Sequence, residues 1–169
     1  MADAALADKI ARARELLQDI RHIPVATVNA DGSPHSSPVF MAFDQRLRGY
    51  WCSSPASTHS QNIARDGRVF LVVFDSREGH GGLFIEATAQ ALETADAAQP
   101  AHQALVAAKE RLYGSMGKLT DYLAPAPQRL YLATPQKFWV NKSQRDSAGT
   151  IIADNRFEIT LQDLLGADA

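Results

Sequence analysis

Residues 24–40 read PVATVNADGSPHSSPVF and contain the clearest hairpin signal in the chain. A short strand rich in β-branched residues, at 23–29, leads into Asp31-Gly32, a dipeptide that supplies the positive φ a tight hairpin needs. The chain then returns as a second strand over 34–43, whose two prolines lack an amide donor for the ladder. The stretch therefore predicts an antiparallel hairpin whose second strand has an edge or a ligand-facing side.

Further strand and helix signals lie on the C-terminal side of this hairpin, and one helix precedes it. The predicted strands are 49–53, 68–75, 83–94, 129–134 and 137–141, the last two divided by Pro135, and the predicted helices are about 4–20, 57–65 and 95–113. Five or six strands with only local helices favour an antiparallel barrel over a sheet of parallel crossover units. The fold class expected is mainly β: a split antiparallel barrel of about six strands with peripheral helices.

The length and composition suit a single domain over residues 1–169. Within it we place an N-terminal helix at about 4–20, a barrel core at about 22–145 and a C-terminal segment at 146–169, which contains a last packed segment. A net charge of −2 argues against a protein whose main task is gripping nucleic acid. No apolar run approaches the roughly 20 residues needed to span a bilayer, the first 20 residues lack an apolar signal core, and Cys52 is the only cysteine. We therefore expect a soluble cytoplasmic protein with no membrane partner.

The densest set of small hydroxyl donors lies where a strand gives way to a helix. Its members are Ser53, Ser54, Ser57, Thr58 and Ser60. Hydroxyls together with the free N–H groups of a helix start form an anion site, to which His59 could add a charged donor. The alternative interpretation is that these residues only cap the helix and turn the chain.

Side-chain chemistry elsewhere in the chain is sparse. We find no standard catalytic constellation, no paired cysteines and no metal-binding pattern. His80 in its glycine loop could ligate a metal or haem, but a lone loop histidine usually does neither. Cys52 has no charged neighbour in sequence to activate it and is interpreted as a buried small residue. When side chains offer so little, an organic cofactor explains activity better.

The order of these segments resembles that of one family. Besides residues 24–40, the resemblance rests on 57–63 (STHSQNI), Phe74-Asp75, 84–89 (FIEATA) and 137–141 (KFWVN), and it covers about residues 20–145. The chain resembles the pyridoxamine 5′-phosphate oxidase-like, FMN-binding split-barrel superfamily. The resemblance implies a homodimer with two FMN sites at its interface.

The resemblance also implies a set of cofactor-binding residues. Ser37, Pro38, Val39, Phe40, Met41 and Ala42 would run along the flavin ring with backbone groups facing it, and Cys52 and Ser53 would lie near the ribityl chain or the ring edge. Ser57, Thr58 and His59 would lie at the phosphate, Gly82 would approach from the second subunit, and Trp139 would come near the flavin.

Two departures from the oxidase shape the functional prediction. Among the matching phosphate positions only His59 can carry charge, so Arg65, Arg68, Lys142 or Arg145 could supply the missing cation. The oxidase's substrate-clamping segment is also absent at residues 111–118, which argues against oxidation of pyridoxamine phosphate.

The function expected is therefore an FMN-dependent oxidoreductase acting on an unknown small molecule, with no side chain assigned as acid or base. The first alternative is a non-enzymatic module that binds a flavin, a deazaflavin or haem as a sensor or store. The second is a barrel that has lost its cofactor and serves as an interaction scaffold.

Overall fold

The computed structural model describes residues 2–77, 81–110 and 115–166. In chain order the elements are α1 (Ala2–Asp19), β1 (His22–Val28), β2 (Pro34–Phe40), β3 (Ala42–Phe43), β4 (Gly49–Ser53), α2 (Thr58–Arg65), β5 (Arg68–Phe74), β6 (Gly82–Leu92), α3 (Ala95–Glu110), a 3₁₀ helix (Leu119–Tyr122), β7 (Arg129–Arg145), β8 (Ile151–Ile159) and α4 (Leu161–Leu165).

All of the described strands belong to one antiparallel sheet. Seven of them follow the order β2-β1-β5-β6-β7-β4-β3, and β8 pairs with the C-terminal half of β7. The sheet curls until β2 and β4, which share no ladder, contact each other across the opening. This confirms the expected mainly β, split antiparallel barrel with peripheral helices, although the described residues form eight strands rather than about six.

The inner face of the sheet is a continuous apolar row. Val25 on β1 faces Leu71 on β5, Leu71 faces Ile85 on β6, and Ile85 faces Phe138 on β7. All four side chains are buried, and each contributes roughly 1.5–3 kcal/mol by leaving water. The helix α1 closes this core with Leu16, because the apolar residues of that helix share one stripe.

The second strand of the hairpin is not continuous over 34–43 as predicted. Strand β2 pairs with β1 as far as Phe40, whereas Ala42 and Phe43 pair with β4. Met41 is the crossover residue between these two ladders, and its side chain is fully buried. The sequence shows no break here, because residues 39–43 on both sides of the crossover are apolar and only the pairing partner changes.

Pro135 does not divide the late strand, which corrects a second expectation. Strand β7 runs unbroken through it, and Pro135 lies opposite Ala87 at a β-bulge that makes Gln136 the extra residue. A bulge leaves one residue unpaired, so a proline without an amide donor is tolerated beside it.

Helix boundaries agree closely with expectation where the structure describes them. Helix α2 begins at Thr58 rather than at residue 57, and α3 is described up to Glu110, so the predicted end at 111–113 lies outside the described residues. The C-terminal segment forms β8 and α4, which supply the last packed segment. Within the described ranges, no helix has both the length and the apolarity to cross a bilayer.

Candidate functional site

Two neighbouring groups of hydroxyl and imidazole side chains lie where β2 contacts both α2 and β4. We call both groups together the hydroxyl–imidazole strip and define it as His35, Ser37, Ser53, Ser57, His59 and Ser60. Oγ of Ser53 lies 3.3 Å from Oγ of Ser57, which in turn donates to Oγ of Ser60 over 2.8 Å. The same Ser57 oxygen lies 3.3 Å from Nε2 of His59. The strip therefore joins the end of β4 to the first turn of α2.

Strand β2 supplies the other end of the strip. Nε2 of His35 lies 3.0 Å from Oγ of Ser37, and the register places both residues opposite inward-facing positions of β1. Burial lowers the pKa of His59, and the charge of His35 lowers it further. His59 is buried, so in the unliganded protein its ring favours the neutral state.

The first turn of α2 keeps its amide groups available. Ser57 is the N-cap residue but makes no side-chain cap hydrogen bond, because its hydroxyl is directed toward Ser60 and His59. The helix itself is held in place by the buried Asn62, which donates to the side-chain oxygens of Thr27 and Asn29. A fixed helix start with uncapped N–H groups is suited to an anion.

Two of the four cations proposed from the sequence, Arg65 and Arg68, are engaged by other groups. Arg65 donates to the carbonyl of Val28 and to Asn62, and Arg68 is paired with Asp66. The side chains of Lys142 and Arg145 lie outside the part of the chain whose side chains the structure describes.

Two functional candidates were missed by the sequence reasoning. His35 was grouped with the scattered histidines, yet its electrostatic effect helps to lower the pKa of His59. Lys109 on α3 places Nζ 5.5 Å from the ring centroid of Phe40 and acts electrostatically on Cys52. The motif Pro34-His35-Ser36-Ser37, in which His35 and Ser37 share a strand face, was the available signal for the first of them.

Side-chain burial varies along residues 37–42, the segment that the resemblance places beside the flavin ring. Ser37 and Phe40 are partly buried and Pro38 is exposed, whereas the side chains of Val39, Met41 and Ala42 are buried. Side chains of the last three therefore belong to the interior, and only their backbone groups could face a ring.

Cys52 and Thr58 lie at the edges of the strip. Burial raises the pKa of Cys52 to about 11 despite the opposing charge of Lys109, so the side chain is a thiol that donates to Gln128. Thr58 is exposed at the first position of α2. A further donor in this neighbourhood is Nε1 of the buried Trp51, which has no partner among the described residues. The Trp51 ring stacks on Tyr131 at 5.3 Å.

Gly82 and Trp139 are not brought to the strip within one chain. Gly82 begins β6, where its amide donates to Asn141, and β1 and β5 lie between it and β2. Trp139 is on the outer face of the sheet, 6.2 Å from Phe70, and Arg156 lies 4.1 Å from the ring centroid of the neighbouring Phe84. We call Phe70, Phe84, Trp139 and Arg156 the outer aromatic face.

Metal chemistry finds no support in the described side chains. No group of three or more His, Cys, Asp or Glu residues converges among them. His80, the candidate ligand in the glycine loop, lies outside the described residues.

Comparison with known proteins agrees with this architecture. The family model for pyridoxamine 5′-phosphate oxidase matches residues 10–142. No curated protein sequence matches the chain.

Solved structures share the fold at low identity. HutZ, the haem storage protein of Vibrio cholerae, is 20% identical over 77% of this chain and 92% of its own, with a TM-score of 0.61. A Clostridium acetobutylicum protein related to general stress protein 26 of B. subtilis is 12% identical over 90% of this chain and 96% of its own, with a TM-score of 0.61. An F420 reductase is 17% identical over 74% of this chain and 94% of its own, with a TM-score of 0.57.

Proposed function

The chain belongs to the pyridoxamine 5′-phosphate oxidase family, and from that premise we propose that it is an FMN-dependent oxidoreductase whose cofactor phosphate binds at the hydroxyl–imidazole strip. The single observation that carries the proposal is the strip itself. Hydroxyl groups, two imidazoles and the uncapped start of α2 meet there, and no carboxylate is a member of the strip.

The strip fits a phosphate group in its donor chemistry. Ser53 and Ser57 can turn their hydroxyl hydrogens toward an anion, because their side-chain hydrogen bonds to other described residues are to each other, to Ser60 and to His59. Ser60 also shares a side-chain hydrogen bond with Tyr131. His59 gains a charge when an anion arrives, since a neighbouring negative charge raises the pKa that burial has lowered. When bound, FMN would supply hydride or single-electron transfer, and the chain would hold and orient it.

The substrate proposed is a small molecule other than pyridoxamine phosphate. Residues 111–118 lack the oxidase's clamp, and Arg65 and Arg68 are engaged elsewhere. We also propose a cytoplasmic location. The single cysteine cannot form a disulfide within the chain, and structural disulfides are typical of proteins in oxidising compartments.

The proposed assembly is a twofold homodimer that covers the outer aromatic face. Phe70, Phe84 and Trp139 form an aromatic cluster on the outside of the sheet, and Phe74 beside it is 46% exposed. Aromatic residues grouped in this way on a surface favour a protein contact. A second copy would also be the source of Gly82 and Trp139 for the cofactor, because one chain keeps them away from the strip.

The assembly is tested with Phe70→Glu, which places a charge in the middle of the outer aromatic face. Light scattering at micromolar concentration should give a dimer for the wild type and a monomer for the variant. Leu161→Glu is the matched control, because Leu161 is an exposed apolar residue on α4, away from that face. A monomeric wild type, or a dimer in Phe70→Glu, contradicts the proposed interface.

The cofactor is tested by titrating FMN and riboflavin into the wild type and into the double variant Thr58→Ala/His59→Ala. Loss of one or two hydrogen bonds to phosphate should weaken FMN binding by roughly 10-fold to 1,000-fold. Riboflavin has no phosphate, so its binding should be far less affected by the double variant. His102→Ala is the control variant and should leave FMN binding nearly unchanged, because the His102 ring contacts the carbonyl of Gly117 and not the strip. Equal FMN affinity in wild type and double variant rules out the strip as the phosphate site.

The alternative function is a binding module without catalysis. An F420 reductase and a haem storage protein share the fold, so a deazaflavin or haem is the alternative ligand. Mass spectrometry of the small molecule that copurifies distinguishes these three cofactors. If FMN is present, its reduction by a nicotinamide cofactor supports the oxidoreductase, and its inertness toward such donors favours the sensor or store.

A further inference from the structure

A buried pair of aromatic side chains adjoins the hydroxyl–imidazole strip. Trp51 on β4 and Tyr131 on β7 lie directly opposite each other in the ladder between these two strands. Their rings stack with centroids 5.3 Å apart and with planes 16° from parallel. Trp51 is fully buried and Tyr131 is 2% exposed, so the surrounding core holds both rings in place.

The hydroxyl of Tyr131 connects this aromatic pair to the strip. Tyr131 shares a side-chain hydrogen bond with Ser60 in the first turn of α2. The indole Nε1 of Trp51 has no partner among the described residues, so the stack holds the phenol ring without competing for its hydroxyl. Ile63, one turn after Ser60, belongs to the same core cluster as the two aromatic residues. The start of α2 and the aromatic pair are therefore fixed relative to each other.

The hydroxyl groups of Tyr131, Ser60, Ser57 and Ser53 form a chain in which each group has a single hydrogen. In the unliganded protein Ser57 donates to Ser60 over 2.8 Å, and the Ser53 oxygen lies 3.3 Å from the Ser57 oxygen. A serine hydroxyl offers one hydrogen and two acceptor positions. When Ser57 turns its hydrogen toward an anion, Ser60 loses that donor. Tyr131 can replace it, because the phenol also carries a hydrogen.

Anion binding therefore reverses the direction of the hydrogen bond between the two serines. Ser60 then donates to Ser57 while it accepts from Tyr131, and the donated hydrogens run from the phenol through both serines to the anion. A hydroxyl that accepts one hydrogen bond while it donates another is a stronger donor, because neighbouring hydrogen bonds polarise each other. Without the phenol, Ser60 would accept from no hydroxyl of this chain, and the donor that meets the anion would be weaker.

Burial keeps the phenol in the protonated state that this role requires. Burial is the largest effect on the pKa of Tyr131, and it raises that pKa above the ordinary value for a tyrosine. The phenol therefore carries its hydrogen throughout the neutral pH range. Because the Tyr131 side chain is almost completely buried, it acts through Ser60 and not by contact with a ligand.

We propose that Tyr131 is a positioning residue of the anion site, and that it sets the direction in which Ser60 and Ser57 donate their hydroxyl hydrogens to a bound phosphate group. The identity of the ligand as FMN rests on the proposed function. The role of Tyr131 applies to any phosphate at the strip, so inorganic phosphate can test it as well.

The first test removes the hydroxyl and keeps the ring. In a fluorescence titration, Tyr131→Phe should weaken FMN binding by about 3- to 10-fold, which is the contribution of one hydrogen bond. Riboflavin has no phosphate, so its affinity should change by less than about 2-fold. Tyr50→Phe is the matched control and should leave FMN affinity unchanged, because Tyr50 is equally buried and its hydroxyl donates to Asp44 outside the strip.

Three results of this titration would overturn the inference. The first is equal FMN affinity in the wild type and Tyr131→Phe. The second is an equal loss of affinity for FMN and riboflavin, which a purely structural role of the phenol predicts. The third is an equal loss of FMN affinity in Tyr50→Phe, which would show that any buried tyrosine hydroxyl has this effect.

A double-mutant cycle tests whether Tyr131 acts through Ser60. Ser60→Ala should weaken FMN binding, and Tyr131→Phe should have no further effect in that background, because the acceptor of the phenol is already absent. The double variant also leaves no buried hydroxyl of this pair without its partner, and urea unfolding verifies that each protein of the cycle is folded. Additive losses of FMN affinity would show that Tyr131 acts by another route and would overturn the inference.

Inorganic phosphate separates this inference from the proposed function. Its binding is followed by the NMR shift of the ring protons of His59, and Tyr131→Phe should weaken it by about the same 3- to 10-fold. Phosphate binding that depends on Tyr131, in a protein that binds no FMN, would refute the proposed function and leave the inference standing. FMN binding that is unaffected by Tyr131→Phe would refute the inference and leave the proposed function standing. A wild type that binds neither ligand would refute both.

Discussion

The protonation of His59 gives the proposed phosphate site a pH signature that can be worked out in advance. Burial and the charge of His35 lower the pKa of His59, so the unliganded ring is neutral at neutral pH. A phosphate beside the ring favours the protonated form and raises that pKa. FMN binding then takes up a proton, and the law of linkage requires affinity to rise as pH falls.

The size of the effect follows from the burial of the ring. An opposite charge within hydrogen-bond range of a buried group shifts its pKa by about 1–3 units. For a rise of one to two units, FMN should bind roughly 3- to 10-fold more tightly at pH 6.5 than at pH 8. Phosphate monoesters lose their second proton near pH 6, so the ligand itself changes little within this window.

The assay is a fluorescence titration of FMN at half-unit pH intervals from 8 to 6.5, on the wild type and on His59→Gln. Glutamine keeps a donor at residue 59 and removes the titration of the imidazole, so the slope should be much smaller in the variant. Riboflavin on the wild type is the control ligand and should show no slope. Superimposable FMN profiles for the wild type and His59→Gln would refute the reasoning.

Three further predictions concern single residues of the barrel. With its pKa raised to about 11, Cys52 should react with iodoacetamide at pH 7.5 roughly 100-fold more slowly than an exposed thiol, as followed by mass spectrometry. Gly67→Ala should lower the free energy of unfolding in urea by about 1–3 kcal/mol, because the new Cβ would lie 2.8 Å from the carbonyl oxygen of Ala89; unchanged stability would show that this approach is not tight. Asn62→Ala should lower the free energy of unfolding by about 1–3 kcal/mol, because it leaves the buried Thr27 hydroxyl without its donor. A loss of less than about 0.5 kcal/mol, which is typical of a surface substitution, would contradict this prediction.

The fold could be predicted because its signals are local. Asp31-Gly32 is a turn in the structure, with Gly32 at φ +85°, and the strand pattern on either side has the period of two that a half-buried sheet requires. The strand predicted at 68–75 is β5 (Arg68–Phe74), whose alternate side chains point into the core. These local patterns can be interpreted without knowing which strands pair with each other.

The candidate site could be predicted only where it is contiguous in sequence. Ser53 to His59 cover a strand end and a helix start, so their proximity is guaranteed by the chain. His35 lies 24 residues before His59, and the two become neighbours through the β1–β2 register and through the docking of α2 by Asn62. Neither of these is a local property. The motif at 34–37 therefore places His35 and Ser37 on one strand face, but it does not indicate that this face meets His59.

The crossover at Met41 separates two environments along one sequence segment. The amide of Met41 donates to the carbonyl of Arg21 at the end of the β1 ladder, and the next two residues pair with β4. Gly49 permits this exchange, because a Cβ at that position would lie 2.7 Å from the sulfur of the buried Met41. Strand β2, before the crossover, contacts α2, whereas Ala42 after it packs in a cluster with residues of α3. One change of pairing partner therefore divides the side of the barrel that carries the proposed anion site from the side that α3 covers.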